Sequence, residues 1–170
     1  DLKILPAVKS TKKLLVDIDA SKISNSSSLN TISNKGLIGG TFTKSGDISL
    51  EKPDGIKAFH FKNGALTLDK PVPKSLAWNG SYTVATWVKN PEVAKEGEIL
   101  ASWCDRNEFN LANSYNALAY NSSNYGAAPH LDGHFDMRYN TIPEANKWHY
   151  IVLIFDGVVE KIYVDGVLDN

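Results

Sequence analysis

The sequence predicts an all-β fold, a jelly-roll sandwich of two antiparallel sheets. Three observations carry that expectation. Apolar residues nowhere keep a 3.6-residue period beyond one or two turns; about eight short runs of β-formers recur between polar, glycine-rich loops; and residues 147–166 read as two strands around an Asp-Gly reversal. In that stretch the run 148–155 is apolar except for His149, the mark of a central strand covered on both faces. Asp156-Gly157 supplies a tight turn, and residues 158–164 return to a second one at Asp165-Gly166. Trp148 and Trp87 are expected in the core.

The 170 residues fit one domain, long enough to bury a core unaided. A formal charge of −1 lacks the footprint of a nucleic-acid or anionic-membrane binder, and no apolar run of 18 or more residues predicts a membrane span. The start, Asp1-Leu2-Lys3, shows no signal sequence, as expected of a mature or trimmed chain. Cys104 is alone and so makes no internal disulfide; it is expected as a buried thiol at a strand end. Three Asn-x-Ser sequons begin at Asn25, Asn79 and Asn121, which chance explains in a chain so rich in Asn and Ser.

Residues 1–13, with Pro6 and four lysines, read as a linker or lead segment from an upstream module, and residues 14–170 as the folded domain. In 14–20, Leu14, Val16 and Ile18 alternate with Asp17 and Asp19, which predicts a half-buried first strand. Residues 21–40 are polar and glycine-punctuated, a long loop with at most one helical turn; Thr41-Phe42 restarts an extended segment. Around Asn63-Gly64, Phe59 and Phe61 before and Leu66 and Leu68 after predict a hairpin. Strands follow at 81–88, 98–104 and 115–120. Last before the opening stretch, 133–139 alternates so that Phe135, Met137 and Tyr139 point inward and His134, Asp136 and Arg138 outward.

Certain motifs go beyond periodicity. They are residues 15–20, Asn34-Lys35-Gly36 with Gly39-Gly40-Thr41-Phe42, residues 55–61, 81–84 with Trp87-Val88, 99–103, and Trp148-His149 leading to Asp156-Gly157 and Tyr163-Val164-Asp165-Gly166. On these, residues 14–168 resemble the laminin-G-like branch of the concanavalin A-like lectin/glucanase superfamily, particularly its bacterial secreted members. The resemblance implies a concanavalin A-like jelly roll whose concave sheet often carries ligand. Since relatives continue past the Val-Asp-Gly turn with two or three strands, it also implies either an open sheet edge beside residues 14–20 or, as we expect, that residues 14–170 lack their last strands.

Glucan-cleaving enzymes of that fold place three acids at alternate positions of one strand, and no Glu-x-Asp-x-Glu run occurs here. Nor is there a Gly-x-Ser-x-Gly elbow, a His-Glu-x-x-His motif or a phosphate-cradling glycine loop. Sugars instead need aromatic rings for their C–H faces and planar polar partners for their hydroxyls. The candidate ligand-binding residues are therefore Trp103, Asp105, Arg106, Asn107, Tyr120, His130, His134, Asp136 and Arg138, with Tyr125 beside them; both arginines of the chain fall here. Competing readings make Trp103 a core residue and His134, Asp136 and Arg138 a cross-strand polar ladder.

No metal or cofactor is assigned. Loops of the superfamily often hold calcium, to which Asp105, Asp132 and Asp19 could contribute, but no Asp-x-Asp-x-Asp-Gly loop supports it, and the His130/His134 spacing lacks helical zinc geometry. The expected function is a non-catalytic carbohydrate-binding module of a secreted or cell-surface multidomain protein. Its partners would be a glycan or polysaccharide and the other domains of its parent chain, with neither nucleic acid nor membrane insertion. A protein-interaction or adhesion module is the alternative, and a glycan-cleaving enzyme the weakest of the three.

Overall fold

A computed structural model describes residues 14–25, 29–104, 115–131 and 134–170. Antiparallel strands dominate, and the described residues contain no α-helix; single 3-10 turns stand at Ala20–Lys22, Pro53–Gly55 and Lys74–Leu76. The all-β expectation holds. The chain divides into an N-terminal unit ending at Pro71 and a second unit, Val72–Asn170.

In the N-terminal unit, β1 (Thr31–Ser33), β2 (Thr41–Glu51) and β3 (Ala58–Leu68) form one antiparallel sheet in that order. Leu29, Ile32 and Phe42 are its buried centre, with Leu50, Phe59, Leu66 and Leu68 packed around them. Two sequence expectations fail in this unit. The predicted hairpin at Asn63-Gly64 is instead one uninterrupted strand, because β2, polar enough to be missed, runs alongside from Phe42↔Leu68 to Glu51↔Ala58. The positive φ that suggested a turn serves a bulge: Asn63 (φ 54) lies opposite Gly46 (φ 67), where the register shifts between Ser45 and Asp47. A Cβ on Gly46 would collide with the Asn63 carbonyl. We expect Gly46→Ala to cost roughly 1–3 kcal/mol, and an unchanged urea midpoint would refute this account of the bulge.

The second failure is the strand expected at 14–20. It forms no ladder, and Leu14, Leu15 and Val16 are exposed. Its polar backbone groups are taken by the 34–38 loop and by one buried side chain. Leu37 N–H donates to Leu14 O (2.7 Å) and Lys35 N–H to Asp17 O (3.1 Å), while Asn34 Oδ1 accepts Asp17 N–H and its Nδ2 donates to Leu15 O. Apolar alternation was present; a partner strand was not.

In the second unit, β4 (Tyr82–Lys89), β7 (Trp148–Phe155), β8 (Glu160–Val164) and β9 (Val167–Leu168) form a sheet in the order β4-β7-β8-β9. β7 is central, as its composition predicted, pairing with β4 from Tyr82↔Phe155 to Lys89↔Trp148. Asp165 (φ 53) and Gly166 (φ 85) make the β8–β9 turn. At the β7–β8 turn, the Asp156 carboxylate accepts the N–H groups of Val159 and Val158, which hold its pKa below the usual carboxylate value.

His149, Ile151, Leu153 and Phe155 alternate onto the buried face of β7. There they meet Leu118, Tyr120, Ala127, Ala128 and Tyr139, residues of β6 (Asn116–Ala119) and the segment after it; β6 pairs with β5 (Ile99–Trp103). His149 breaks the apolar run without breaking the core, since its ring nitrogens meet Asp165 Oδ2 (2.8 Å) and Glu144 O (3.0 Å). The other face of β7 is only half-buried, which corrects the expectation of full cover. Trp148 lies on that face, and Trp87, half-buried too, contacts Tyr150 at 5.1 Å between ring centroids. Cys104, just past β5, is half-buried rather than buried.

Candidate functional site

The structure brings some of the sequence candidates together: Trp103 and His130 both contact Tyr82, and Asp136 bonds the His130 backbone, whereas Arg138 lines a cavity that none of these borders. Trp103 ends β5 half-buried; its ring stands edge-on to Tyr82 at 4.7 Å and its Nε1–H donates to Leu76 O, so it packs against the core. Asp105, Arg106 and Asn107 lie outside the described residues, as does Asp132. Tyr120 is fully buried and its hydroxyl donates to Glu144 O (3.3 Å); burial pushes its pKa up to about 12. A ligand at the surface does not reach it. Tyr125 is half-buried.

His130 is also buried, within a polar cluster of the core. Tyr82 donates its hydroxyl proton to Glu160 Oε1 (2.7 Å), so the His130 Nδ1 that faces the same hydroxyl at 2.9 Å carries the proton it donates. Glu160 Oε1 lies 3.3 Å from that nitrogen, and Phe155 contacts the His130 ring at 4.7 Å. Desolvation first, then the Glu160 charge, raises the Tyr82 pKa far above its ordinary value. With Tyr82 and His130 both buried, the cluster works as satisfied core polarity.

The strand expected at 133–139 is absent. Leu131 adopts a left-handed φ of 47 and the chain reverses there, with His134 N–H donating to Leu131 O and Phe135 N–H to His130 O. Phe135, predicted inward, is 66% exposed; among the described residues the Ala128↔Met137 bridge and the buried Tyr139 are what survive of the inward face. Because the backbone is not extended, His134, Asp136 and Arg138 do not form a ladder. Asp136 accepts the His130 backbone N–H (3.3 Å), whereas His134 and Arg138 are exposed.

Arg138 does border a concavity. A cavity of about 310 Å³ opens between residues 121–124 and 138–142, lined by Asn121, Asn124, Arg138, Asn140 and Ile142 among others. Neither Trp103 nor His134 lines it, so the cavity does not gather these candidates beside Arg138. Its first wall follows β6: Asn121 Oδ1 accepts the Ser123 N–H (3.0 Å), and Asn121 N–H donates to Gly126 O (3.2 Å), closing a tight loop. Its second wall is strapped by the last residues described. The Asp169 carboxylate accepts the N–H groups of Asn140 (2.7 Å) and Thr141 (2.9 Å), and Asn170 Nδ2 donates to Arg138 O (2.9 Å).

Asn121 is the residue that sequence reasoning missed, having registered only as a sequon. At 1% exposure it offers no accessible amide for glycosylation. Its Oδ1 is fixed by Ser123, which sets the amide orientation, yet its buried Nδ2 has no hydrogen-bond partner. An unpartnered buried donor costs about 1–3 kcal/mol, and this one, closed to solvent, is closed to a ligand in the cavity as well.

A second cavity, about 360 Å³, lies in the N-terminal unit against Leu14, Asp17 and residues 35–37, and none of the unpartnered buried donors belongs to it. Among the described residues no group of three His, Cys, Asp or Glu side chains is placed to hold a metal; Asp19 instead caps the 3-10 turn by accepting Ser21 N–H.

A family model described as the concanavalin A-like lectin/glucanases superfamily, its laminin-G type, matches residues 62–170, which include the whole second unit. Searches among curated proteins and solved structures return no significant match.

Proposed function

Because the chain belongs to the concanavalin A-like lectin/glucanase superfamily, we propose that it is a non-catalytic carbohydrate-binding module of a secreted or cell-surface protein, and that it takes glycan in the cavity between residues 121–124 and 138–142. The observation behind this reading is a cavity whose lining carries the exposed Arg138 guanidinium and the exposed Asn124 amide. Sugar hydroxyls and ring oxygens accept from amide and guanidinium donors, and half-exposed Ile142 offers an apolar wall to a sugar C–H face. At about 310 Å³ the cavity lies at the small end of ligand pockets, room for about one or two sugar units.

A glycan array, followed by affinity electrophoresis on the best ligand, tests the site. Arg138 is exposed and bears no fold contact through its guanidinium among the described residues, so Arg138→Ala should leave the melting temperature unchanged while weakening binding about tenfold or more. Full-strength binding by Arg138→Ala would place the glycan elsewhere.

A further inference from the structure

We infer that His149 is a proton-dependent clasp on the second wall of the cavity: with both ring nitrogens protonated it ties the Glu144 end of that wall to the β8–β9 turn, and on losing one proton it lets go of Glu144. The device is independent of what the cavity holds. Both ring nitrogens of the buried His149 face acceptors, Nδ1 at 2.8 Å from the Asp165 carboxylate and Nε2 at 3.0 Å from the Glu144 carbonyl. A neutral imidazole has one N–H and one lone pair, so only the doubly protonated ring donates to both.

The surroundings decide which bond is lost. Asp165 is anchored, since its Oδ1 accepts the Tyr150 N–H (2.8 Å) and its own N–H donates to Tyr150 O (2.9 Å). A carboxylate is the stronger acceptor, so the neutral ring keeps its proton on Nδ1 and turns the Nε2 lone pair toward the Glu144 carbonyl. That carbonyl keeps the longer bond from the Tyr120 hydroxyl (3.3 Å), which holds its proton because burial pushes its pKa up to about 12. Other charges on the elements packed around the ring are turned to partners of their own or lie beside it. The Glu144 carboxylate meets Lys147 Nζ (2.6 Å), Glu98 ahead of β5 accepts from Asn90 Nδ2 (2.5 Å), and β4 sets Val88 opposite His149 with Lys89 next to it. Among the described residues, Asp165 is the carboxylate that bonds the ring.

The two ends of the wall are therefore held by different chemistry. Asn140 and Thr141 donate their N–H groups to Asp169, a strap without a histidine, whereas Ile142, which lines the cavity, leads through Pro143 to the carbonyl that His149 holds. Beyond it the Asn146 N–H donates to Asn90 O (2.5 Å), which confines the change to residues 142–145.

Nuclear magnetic resonance of the full chain tests the clasp from about pH 5 to about pH 9, which brackets the interval where histidine exchanges its charge. Both His149 ring nitrogens should carry protons at the low end, and the Nε2 proton should be gone at the high end. The Ala145 amide, in the same peptide group as Glu144 O, should shift with the same midpoint as the His149 ring, while the Asn140 and Thr141 amides stay in place. His149→Gln should remove the Ala145 transition, and His60→Gln, at the exposed pair with Glu51 in the N-terminal unit, should leave it. A neutral ring at the low end, a ring that keeps both protons throughout, an Ala145 amide that ignores the titration, or an Ala145 transition that survives in folded His149→Gln overturns the proposal. If His149→Gln does not fold, the wild-type ring and Ala145 midpoints decide by themselves.

Discussion

Raising the pH above about 10 is expected to unfold the second unit cooperatively, before its buried tyrosines ionise one by one. Tyr82 and Tyr139 are almost wholly buried, and Tyr120 completely so; desolvation is the first cause that raises each of their pKa values. For Tyr82 the Glu160 carboxylate adds repulsion; for Tyr139 its neighbour Tyr120 and then Asp169 do. A folded-state value raised above the unfolded one near 10.0 contributes stability that is fully present below that pH and is lost as pH climbs.

Each pH unit above 10 therefore removes up to about 1.4 kcal/mol for each of Tyr82 and Tyr139, together close to 3 kcal/mol, against a total stability of roughly 5–15 kcal/mol. Two or three units thus remove about 5–8 kcal/mol, enough to unfold a unit at the lower end of that range. Circular dichroism and phenolate absorbance should change in one coincident step, and Tyr139→Phe should move that step to higher pH at the cost of its hydrogen bond to Ala119 O. A smooth titration of all seven tyrosines near pH 10 with the dichroism unchanged would show that these hydroxyls are accessible.

The legible parts of this fold are those whose signals are local. β7 is apolar except for His149 and β8 returns to it across a short turn, so composition and turn chemistry fix the pair together. Legibility fails where the deciding partner is distant. Asn63-Gly64 looks like a turn until polar β2 is laid beside it, and residues 133–139 alternate like a strand although Leu131 has already reversed the chain.

The candidate site divides in the same way. Arg138 is visible because arginine is rare here; the cavity that it borders is not, since residues 121–124 and 138–142 line one concavity only in the fold, where Asp169 straps the second wall. Tyr120 and His130 carry glycan-binding chemistry in their side chains, but burial assigns that chemistry to the core.

Replacing Asn34 with alanine is expected to destabilise the N-terminal unit by about 2–4 kcal/mol. Asn34 is buried, and its amide is saturated: Oδ1 accepts the N–H groups of Asp17 (2.8 Å) and Gly36 (2.9 Å), and Nδ2 donates to Leu15 O (3.1 Å) and Gly39 O (2.9 Å). No other side chain of the twenty presents that pattern at that length. Alanine leaves two backbone N–H groups without their acceptor and unpins residues 15–17, which have no β-ladder to fall back on. Asn34→Asp separates the two halves of the effect, because a carboxylate can still accept from Asp17 and Gly36 while it repels the carbonyls of Leu15 and Gly39. Hydrogen exchange gives the readout. The amides of Asp17, Gly36 and Leu37 should lose protection in Asn34→Ala, those of Asp17 and Gly36 should lose less in Asn34→Asp, and those of β7 should not change in either. Retained protection at Asp17 in the alanine variant would mean that the backbone bonds of Leu37 and Lys35 to Leu14 and Asp17 hold the segment without the side chain.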